Sequence, residues 1–209
     1  MRAFIFFFSI LTSVLTVSAQ NVEIEGIYSF YTKADSVKNL DKPFLITPDF
    51  KVALSKLEKQ HPSKFFEKSG DYFQSFEFDN SAFLYHLGIL RYSYYNLTNE
   101  DYEASGDGAL FSSLKFMVGE AISIYLKNDI EKYIEILQAV DTYNLSNDYV
   151  FHSKNIYTNE FNNLLFNELI NDLSSNKTEY STDWLLERNK MKEQLKSMLE
   201  SDKENRKKQ

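Results

Sequence analysis

Apolar residues recur at helical spacing through most of the chain from Pro48 onwards. The first predicted helix begins at this proline, and its apolar face consists of Phe50, Leu54 and Leu57. A second, shorter helix is predicted to begin at Pro62 and to end at Gly70, because proline suits the first turn of a helix and glycine its end.

Three longer helices are predicted in the middle of the chain. Residues 79–96 form a central helix, with Asp79 or Ser81 as its N-cap, and we expect it to be buried because apolar side chains occur on nearly every side. Residues 108–127 and 129–143 form the next two. The join between these two helices is so short that we expect an antiparallel helical hairpin.

The remaining segments complete an all-α prediction. Residues 157–173 and 183–200 repeat the helical pattern, and residues 201–209 form a charged tail that we expect to be disordered. Residues 20–47 are an irregular N-terminal segment, in which "VEIEGIYSFYT" alternates enough to predict a short strand. Only three prolines and six glycines interrupt the chain, which favours long elements. We therefore expect one helical domain over residues 48–200, a non-repeating bundle or array of about six helices.

Residues 1–19 have the pattern of a secretory signal peptide. Arg2 precedes an apolar and hydroxyl-bearing run over residues 3–17, small residues follow, and cleavage is expected between Ala19 and Gln20. We expect no later segment to span a bilayer, because a span needs roughly 20 apolar residues in succession. The sequence therefore predicts an exported, soluble protein without a membrane partner.

Composition narrows the compartment and the partners. The chain has no cysteine, which removes disulfides, thiolate metal sites and a cysteine nucleophile. An exported protein without disulfides suits a bacterial periplasm or the cell exterior. The formal net charge is -7, and no basic cluster precedes the last residues, so nucleic acid is not expected as a partner.

The stretch "ASGDGALFSS", residues 104–113, is the one place where glycine, an acid and small hydroxyls crowd together. A phosphate-binding loop needs a lysine directly after its last glycine, and the first lysine here is Lys115. A dinucleotide-binding turn needs a third glycine where Phe111 stands. Both nucleotide-binding interpretations fail, and no cofactor is expected.

Two other interpretations of this turn remain open. Calcium is the weaker, because the oxygen-bearing residues have the right spacing but Ser112 replaces the bidentate glutamate that closes a calcium loop. The weak calcium candidates are Asp101, Glu103 and Ser105. The favoured interpretation is a helix start, in which Asp107 caps free backbone amides and two glycines allow a tight entry. The residues of this predicted turn and cap are Gly106, Asp107 and Gly108.

The other polar residues give little support to catalysis. The histidines His61, His86 and His152 have no metal-ligand spacing, and no nucleophile motif occurs. His86 lies within the predicted buried helix, where a hydrogen-bonded core residue is favoured over a general base.

Helical projection of residues 108–127 separates two faces. The broad apolar face carries Leu110, Leu114, Met117, Val118, Ala121, Ile122, Ile124 and Tyr125. The opposite face holds Phe116 and a strip of small residues at Ser112, Gly119 and Ser123, where another backbone could approach closely. We expect a neighbouring helix to cover Phe116, although it is also a candidate binding residue.

The tyrosine-rich end of the central helix and the turn that follows, residues 91–108, form the predicted binding surface. The residues assigned to it are Arg91, Tyr94, Tyr95 and Tyr102. With no catalytic motif and an acidic, exported, helical chain, the sequence favours a non-catalytic module that binds another protein, such as an inhibitor or immunity-type partner of a secreted effector. The alternative is a glycan or cell-wall binding protein or hydrolase that uses this same acidic loop.

Overall fold

The computed structural model describes residues 25–26, 28–29, 31–33, 42–152 and 156–207. The predicted signal peptide and its cleavage site lie outside the described residues, as do most of the first forty positions. Backbone alone is described for several residues early in the helix that begins at Ile156 and for the last two of the chain's final helix.

The described part of the chain is all-α, as the apolar spacing predicts. The helices from residue 48 onwards are α1 Pro48–Leu57, α2 Ser63–Gln74, α3 Phe78–Thr98, α4 Ala109–Leu126, α5 Ile130–Ser146, α6 Ile156–Ser175 and α7 Lys177–Lys207. A π-helical turn, Ala104–Gly108, leads directly into α4.

The short strand predicted within residues 22–32 is wrong, because the residues of this stretch that the structure describes are helical. The alternation of apolar and polar residues there is short, and Tyr28 and Tyr31 also have the three-residue spacing of a helix face. The carbonyl of Tyr31 accepts a hydrogen bond from Arg188 at 3.2 Å, and the Arg188 guanidinium lies over the Tyr31 ring at 5.1 Å.

The chain divides into two compact units. One unit combines Met1–Lys38 with Asp183–Gln209, and the other is Asn39–Thr182. Helix α7 continues through Lys207, so the charged tail is helical as far as it is described. Its alternating charges allow pairs one turn apart, such as Lys196 with Glu200 at 3.9 Å, which support an exposed helix.

Helix α3 is the buried centre of the larger unit, as predicted, and it contacts α2, α4, α5 and α6. Helices α4 and α5 each pack chiefly against α3 and touch each other little, so they do not form the close hairpin that their short join suggested. The reason is that both helices turn their buried faces towards α3. The buried apolar residues of α3 are Phe78, Ala82, Phe83, Leu84, Leu87, Leu90, Tyr92 and Tyr94.

Helix α2 approaches α3 most closely at Gly88. A Cβ atom at this position would lie 2.9 Å from the Cβ of Phe65 and 3.1 Å from the ring of Phe66. Helix α2 also runs past Gly70, where the sequence predicted its end, because Phe73 continues the helix and packs on Phe78 with ring centres 5.1 Å apart.

Residues 43–47 are irregular, as predicted, and they are held against the core. The Phe44 ring stacks on Phe83 at 5.3 Å, and the Phe44 amide donates to the Glu135 carboxylate at 2.7 Å. The buried Lys132 ammonium binds both Glu135, at 2.6 Å, and the carbonyl of Lys42, at 2.5 Å. These contacts explain how a segment without regular structure stays in place over α5.

His86 is a core residue, but its hydrogen bonding is incomplete. Its ring packs among Tyr85, Tyr133 and Phe166, and its Nε2 atom is buried without a hydrogen-bond partner. Burial disfavours the charged imidazolium and lowers the pKa of His86 to about 3. The environment therefore keeps this histidine neutral.

Two helical glycines provide a matched test of the α2–α3 contact. We expect Gly88→Ala to destabilise the protein, because the new methyl group meets Phe65 and Phe66. Gly70→Ala has open space and should stabilise it by roughly 0.5–1 kcal/mol through helix propensity. Urea denaturation of both variants measures this, and equal shifts of the same sign would contradict the close approach.

The buried neutral state of His86 makes stability depend on pH. The unfolded chain binds a proton at this residue near pH 6.5, whereas the folded chain does so only near pH 3. The free energy of unfolding should therefore fall as pH drops below 6.5, by on the order of 2 kcal/mol at pH 5 from this residue. In His86→Phe this part of the loss should vanish. Parallel pH profiles of the two proteins, measured by urea denaturation between pH 7 and about 5, would contradict the assignment.

Candidate functional site

Four segments of the larger unit bring aromatic and polar side chains to one place. They are the loop between α1 and α2, the C-terminal half of α3, the π turn and the segment that follows α5. We call this group the Tyr95 cluster, and it consists of His61, Tyr92, Tyr95, Asp107, Phe151 and His152. The rings of His61 and His152 each lie 5.2 Å from that of Tyr95, in edge-to-face contact.

His61 is the polar centre of the Tyr95 cluster. The Ser63 amide donates to its Nδ1 at 3.3 Å, so Nδ1 is an acceptor and the hydrogen lies on Nε2. This Nε2 faces the Asp107 carboxylate at 3.2 Å, and both side chains remain about a quarter exposed. The imidazole therefore links the start of α2 to the π turn.

Asp107 does not cap a helix, which corrects the favoured interpretation of the turn. No side-chain hydrogen bond caps the π turn or α4. The amides of Gly106 and Gly108 donate instead to the Glu103 carbonyl, at 3.0 and 3.3 Å, because the π-helical turn begins at Ala104. The Asp107 carboxylate is thus left to accept from the Tyr92 hydroxyl at 3.0 Å.

The electrostatics of the Tyr95 cluster keep its phenols protonated. Burial raises the pKa of Tyr92 well above its usual range, and the hydrogen bond and charge of Asp107 raise it further. The pKa of Tyr95 is raised in the same way by burial and by the charges of Asp107 and Asp101. Both hydroxyls are therefore neutral donors at physiological pH.

The two glycines of the turn have different roles from those predicted. Neither has a positive φ angle, so left-handed backbone is not the reason for them. A Cβ atom at Gly108 would lie 2.5 Å from the Tyr102 hydroxyl, whereas one at Gly106 would meet only Glu103 at 3.6 Å. Gly108 is thus needed for the approach of Tyr102, which remains 43% exposed.

The structure gives no support to the weak calcium candidate. Among the described residues, no group of three or more acidic or histidine side chains is placed to hold a metal ion. Asp101, Glu103 and Ser105 are exposed. Asp107, which would have to join them, faces Tyr92 and His61 instead.

Two residues predicted for the binding surface lie in the interior. Arg91 is 2% exposed and Tyr94 is 3% exposed, which corrects their assignment to an open surface. Both fall on the side of α3 that faces the rest of the unit, and a helix buried on nearly all sides leaves few positions for an exposed face. Tyr95 is half-buried and borders the surface.

Arg91 instead forms buried hydrogen bonds with the segments next to the Tyr95 cluster. Its guanidinium donates to Asn144 at 2.7 Å, to the buried Glu58 carboxylate at 2.8 Å and to the carbonyl of Asn147 at 3.0 Å. It also lies over the Tyr149 ring at 5.3 Å. Arg91 thereby ties α3 to the chain on either side of the cluster.

The residues that complete the site from distant segments were not predicted from the sequence to lie there. Phe151 packs on His61 with ring centres 5.8 Å apart, and its amide donates to the Glu58 carbonyl at 2.8 Å. His152 contacts the Thr98 hydroxyl at 2.7 Å. The aromatic run around residues 149–152 was the available signal, but no spacing rule relates it to α3 more than fifty positions earlier.

One side of the Tyr95 cluster brings a hydroxyl, an imidazole and a carboxylate close together. Ser63 Oγ lies 3.0 Å from His61 Nδ1, and His61 Nε2 lies 3.2 Å from the Asp107 carboxylate. However, the Ser63 amide shares the same nitrogen, and the amides of Lys64 and Phe65 already donate to backbone carbonyls. The first three backbone amides of α2 are therefore already used as hydrogen-bond donors.

Phe116 lies on α4, and its predicted cover by a neighbouring helix is wrong because its side chain is 76% exposed. The predicted strip of small residues is used at one point, Gly119, against which the Tyr85 side chain lies. By length and composition, the helical stretch Ala104–Leu126 is also apolar enough to cross a membrane, the one such helix among the described residues. This corrects the statement that no segment after Gln20 qualifies.

Comparison of the chain with protein-family models, with curated proteins and with solved structures found no match. Among the described residues, the features that are most informative about function are the Tyr95 cluster and the exposed side of α4.

The role of Asp107 can be tested by a double-mutant cycle. We expect Asp107→Ala to destabilise the protein by about 1–3 kcal/mol, because it leaves the buried Tyr92 hydroxyl without its acceptor. In a Tyr92→Phe background the same substitution should be clearly less destabilising. Chemical denaturation measures the cycle. An Asp107→Ala penalty that is unchanged by Tyr92→Phe would show that Asp107 stabilises the protein through another contact, such as the one with His61, and a rise in melting temperature with calcium would restore the metal hypothesis.

Proposed function

We propose that this protein is a non-catalytic interaction module and that the Tyr95 cluster is its protein-binding surface. The observation that carries the proposal is a set of aromatic and histidine rings, partly open to solvent, that four segments hold in one arrangement. Tyrosine and other aromatic residues are enriched in protein interfaces, where they supply much of the binding energy.

The rigidity of the Tyr95 cluster supports a binding role. His61 is fixed by Ser63 and Asp107, and His152 is fixed by Thr98. Side chains that are ordered before binding lose less conformational entropy when the complex forms. Phe151, 42% exposed, and its neighbour Val150, 63% exposed, extend the apolar area at the edge of the cluster.

The charge next to the Tyr95 cluster indicates the chemistry of the partner. The exposed acids Glu100, Asp101 and Glu103 lie in the loop that joins α3 to the π turn, and the chain as a whole is acidic. A partner with basic residues around an apolar centre would match this pattern, and electrostatic attraction would speed its association.

The cellular role in this proposal comes from the signal-like residues 1–19. An exported acidic binding module fits an inhibitor or immunity-type partner of a secreted effector, acting in the bacterial periplasm or outside the cell. The partner is then itself an exported protein.

Affinity capture from the producing cell's envelope tests the proposal. We expect the tagged wild type to retain one protein in stoichiometric amount, identified by mass spectrometry. Tyr95→Ala and Phe151→Ser should lose it, because each removes a ring from the Tyr95 cluster. Leu145→Ser is the matched control, since Leu145 is 57% exposed on α5 and lies outside the cluster. Its capture should equal that of the wild type.

Other outcomes of this experiment would contradict the proposal. Retention by cell-wall polysaccharide alone, lost in the Tyr95 variant, would support the glycan-binding alternative. Equal capture by all four proteins would place the binding surface elsewhere. Circular dichroism of each variant must match the wild type before its capture is compared.

A further inference from the structure

Helix α4 presents a largely apolar side to solvent. Its opposite side packs on α3, where Phe111 stacks on Tyr92 at 4.8 Å and the Tyr125 ring lies 5.0 Å from Phe78. The outward side has three large apolar side chains: Leu110 is 43% exposed, Phe116 is 76% exposed and Met117 is 73% exposed. The other exposed residues of this stripe are Ala109, Ser112, Ser113, Glu120 and Ser123.

We propose that this stripe is a self-association face, on which α4 of a second copy packs antiparallel about a two-fold axis between residues 116 and 117. The proposal concerns a different surface from the Tyr95 cluster, none of whose side chains belongs to α4. In a two-fold interface the same patch is used twice, so the stripe must be complementary to itself.

The order of large and small residues along the stripe meets this requirement. When two antiparallel copies are aligned at this axis, residues whose numbers add to 233 lie at the same level. Two large side chains then meet at the centre, and further along the stripe the larger side chains fall opposite smaller ones. The facing pairs are Phe116 with Met117, Leu110 with Ser123, Ala109 with Ile124, and Ser113 with Glu120. Side chains of alternating size allow two helices to interdigitate closely, and a methionine sulfur packs favourably on an aromatic ring.

The single charge on the stripe also favours an antiparallel second copy. Glu120 would accept a hydrogen bond from the Ser113 hydroxyl of the other copy. The two Glu120 carboxylates would lie roughly 10 Å apart along the helix axes, where salt screens their repulsion. A parallel pair would place them face to face.

A lipid surface fits the same stripe less well. Helix α4 is apolar enough for a membrane, but Glu120 lies between Phe116 and the end of the stripe, and a carboxylate in hydrocarbon is strongly disfavoured. The C-terminal part of α4 is also held to α3, because the Tyr125 hydroxyl donates to Asp79 at 2.5 Å.

The size of the stripe sets the strength we expect. An 18-residue helix is about 27 Å long and about 10 Å wide, so one side of it covers about 270 Å², about a third of the roughly 800 Å² that each partner buries in a standard interface. The dimer should therefore be weak and depend on concentration.

Analytical ultracentrifugation of the protein purified from its producing cell tests the proposal. We expect a shift from monomer to dimer across the micromolar range. Phe116→Ser should stay monomeric at every concentration and keep its melting temperature, because this side chain is exposed. Leu145→Ser, with a similarly exposed residue on α5, should dimerise like the wild type. A wild type that is monomeric throughout, or a Phe116→Ser variant that dimerises normally, would overturn the proposal.

Cysteine cross-linking tests the antiparallel arrangement, and the absence of native cysteines gives a clean background. Ser113→Cys combined with Glu120→Cys should give a disulfide-linked dimer. Ser113→Cys alone should not, because its two copies would be roughly 10 Å apart along the axis, beyond the reach of a disulfide. Cross-linking by Ser113→Cys alone would show a parallel pair and overturn the arrangement.

Flotation with neutral phosphatidylcholine vesicles separates the lipid explanation. We expect the protein to remain unbound. Binding that Phe116→Ser abolishes, together with a monomeric wild type in the absence of vesicles, would assign the stripe to a membrane and overturn self-association.

Discussion

The larger unit depends on the buried guanidinium of Arg91. Removing this charge and the Glu58 carboxylate from water is unfavourable, and further hydrogen bonds offset part of that cost. The guanidinium donates to Asn144 and to the carbonyl of Asn147, while its Nε atom is buried without a hydrogen-bond partner. These contacts connect the end of α1, the C-terminal half of α3 and the end of α5.

The Tyr95 cluster follows from that constraint. Because Arg91 holds the chain on both sides, Tyr149 can donate its hydroxyl to the Gln60 carbonyl at 2.9 Å, and Phe151 can reach the backbone of Glu58. Two serine side chains add a second polar contact between helices nearby. Ser69 and Ser81 exchange hydroxyl-to-carbonyl hydrogen bonds of 2.8 and 2.7 Å between α2 and α3. A chain without disulfides thus uses buried polar contacts to position its helices.

The sequence predicts the helices well and the site only in part, for a physical reason. Periodicity reports which residues are apolar, so the central position of α3 could be derived from its all-round apolar character. It carries no information about which distant segment supplies a hydrogen-bond partner. Arg91 was therefore assigned to the surface, although Glu58 and Asn144 accept its hydrogen bonds in the interior. Asp107 was interpreted as a cap because the nearby Tyr92 and His61 could not be recognised from spacing.

Helix α4 shows how packing selects among apolar residues. Its apolar residues predicted a core face centred near Leu114 and Ala121, yet the residues that are buried, Ile122, Tyr125 and Leu126, are centred roughly 80° further round the helix. Aromatic contacts at the two ends of α4 account for this rotation. Phe111 stacks on Tyr92 and the tilted Tyr125 ring contacts Phe78, which fixes the helix at two points on one side, and large flat rings bury more area there than leucine or methionine would. Met117 is consequently turned outwards beside Phe116, so the exposed apolar stripe is a direct result of the rings that hold α4 to α3.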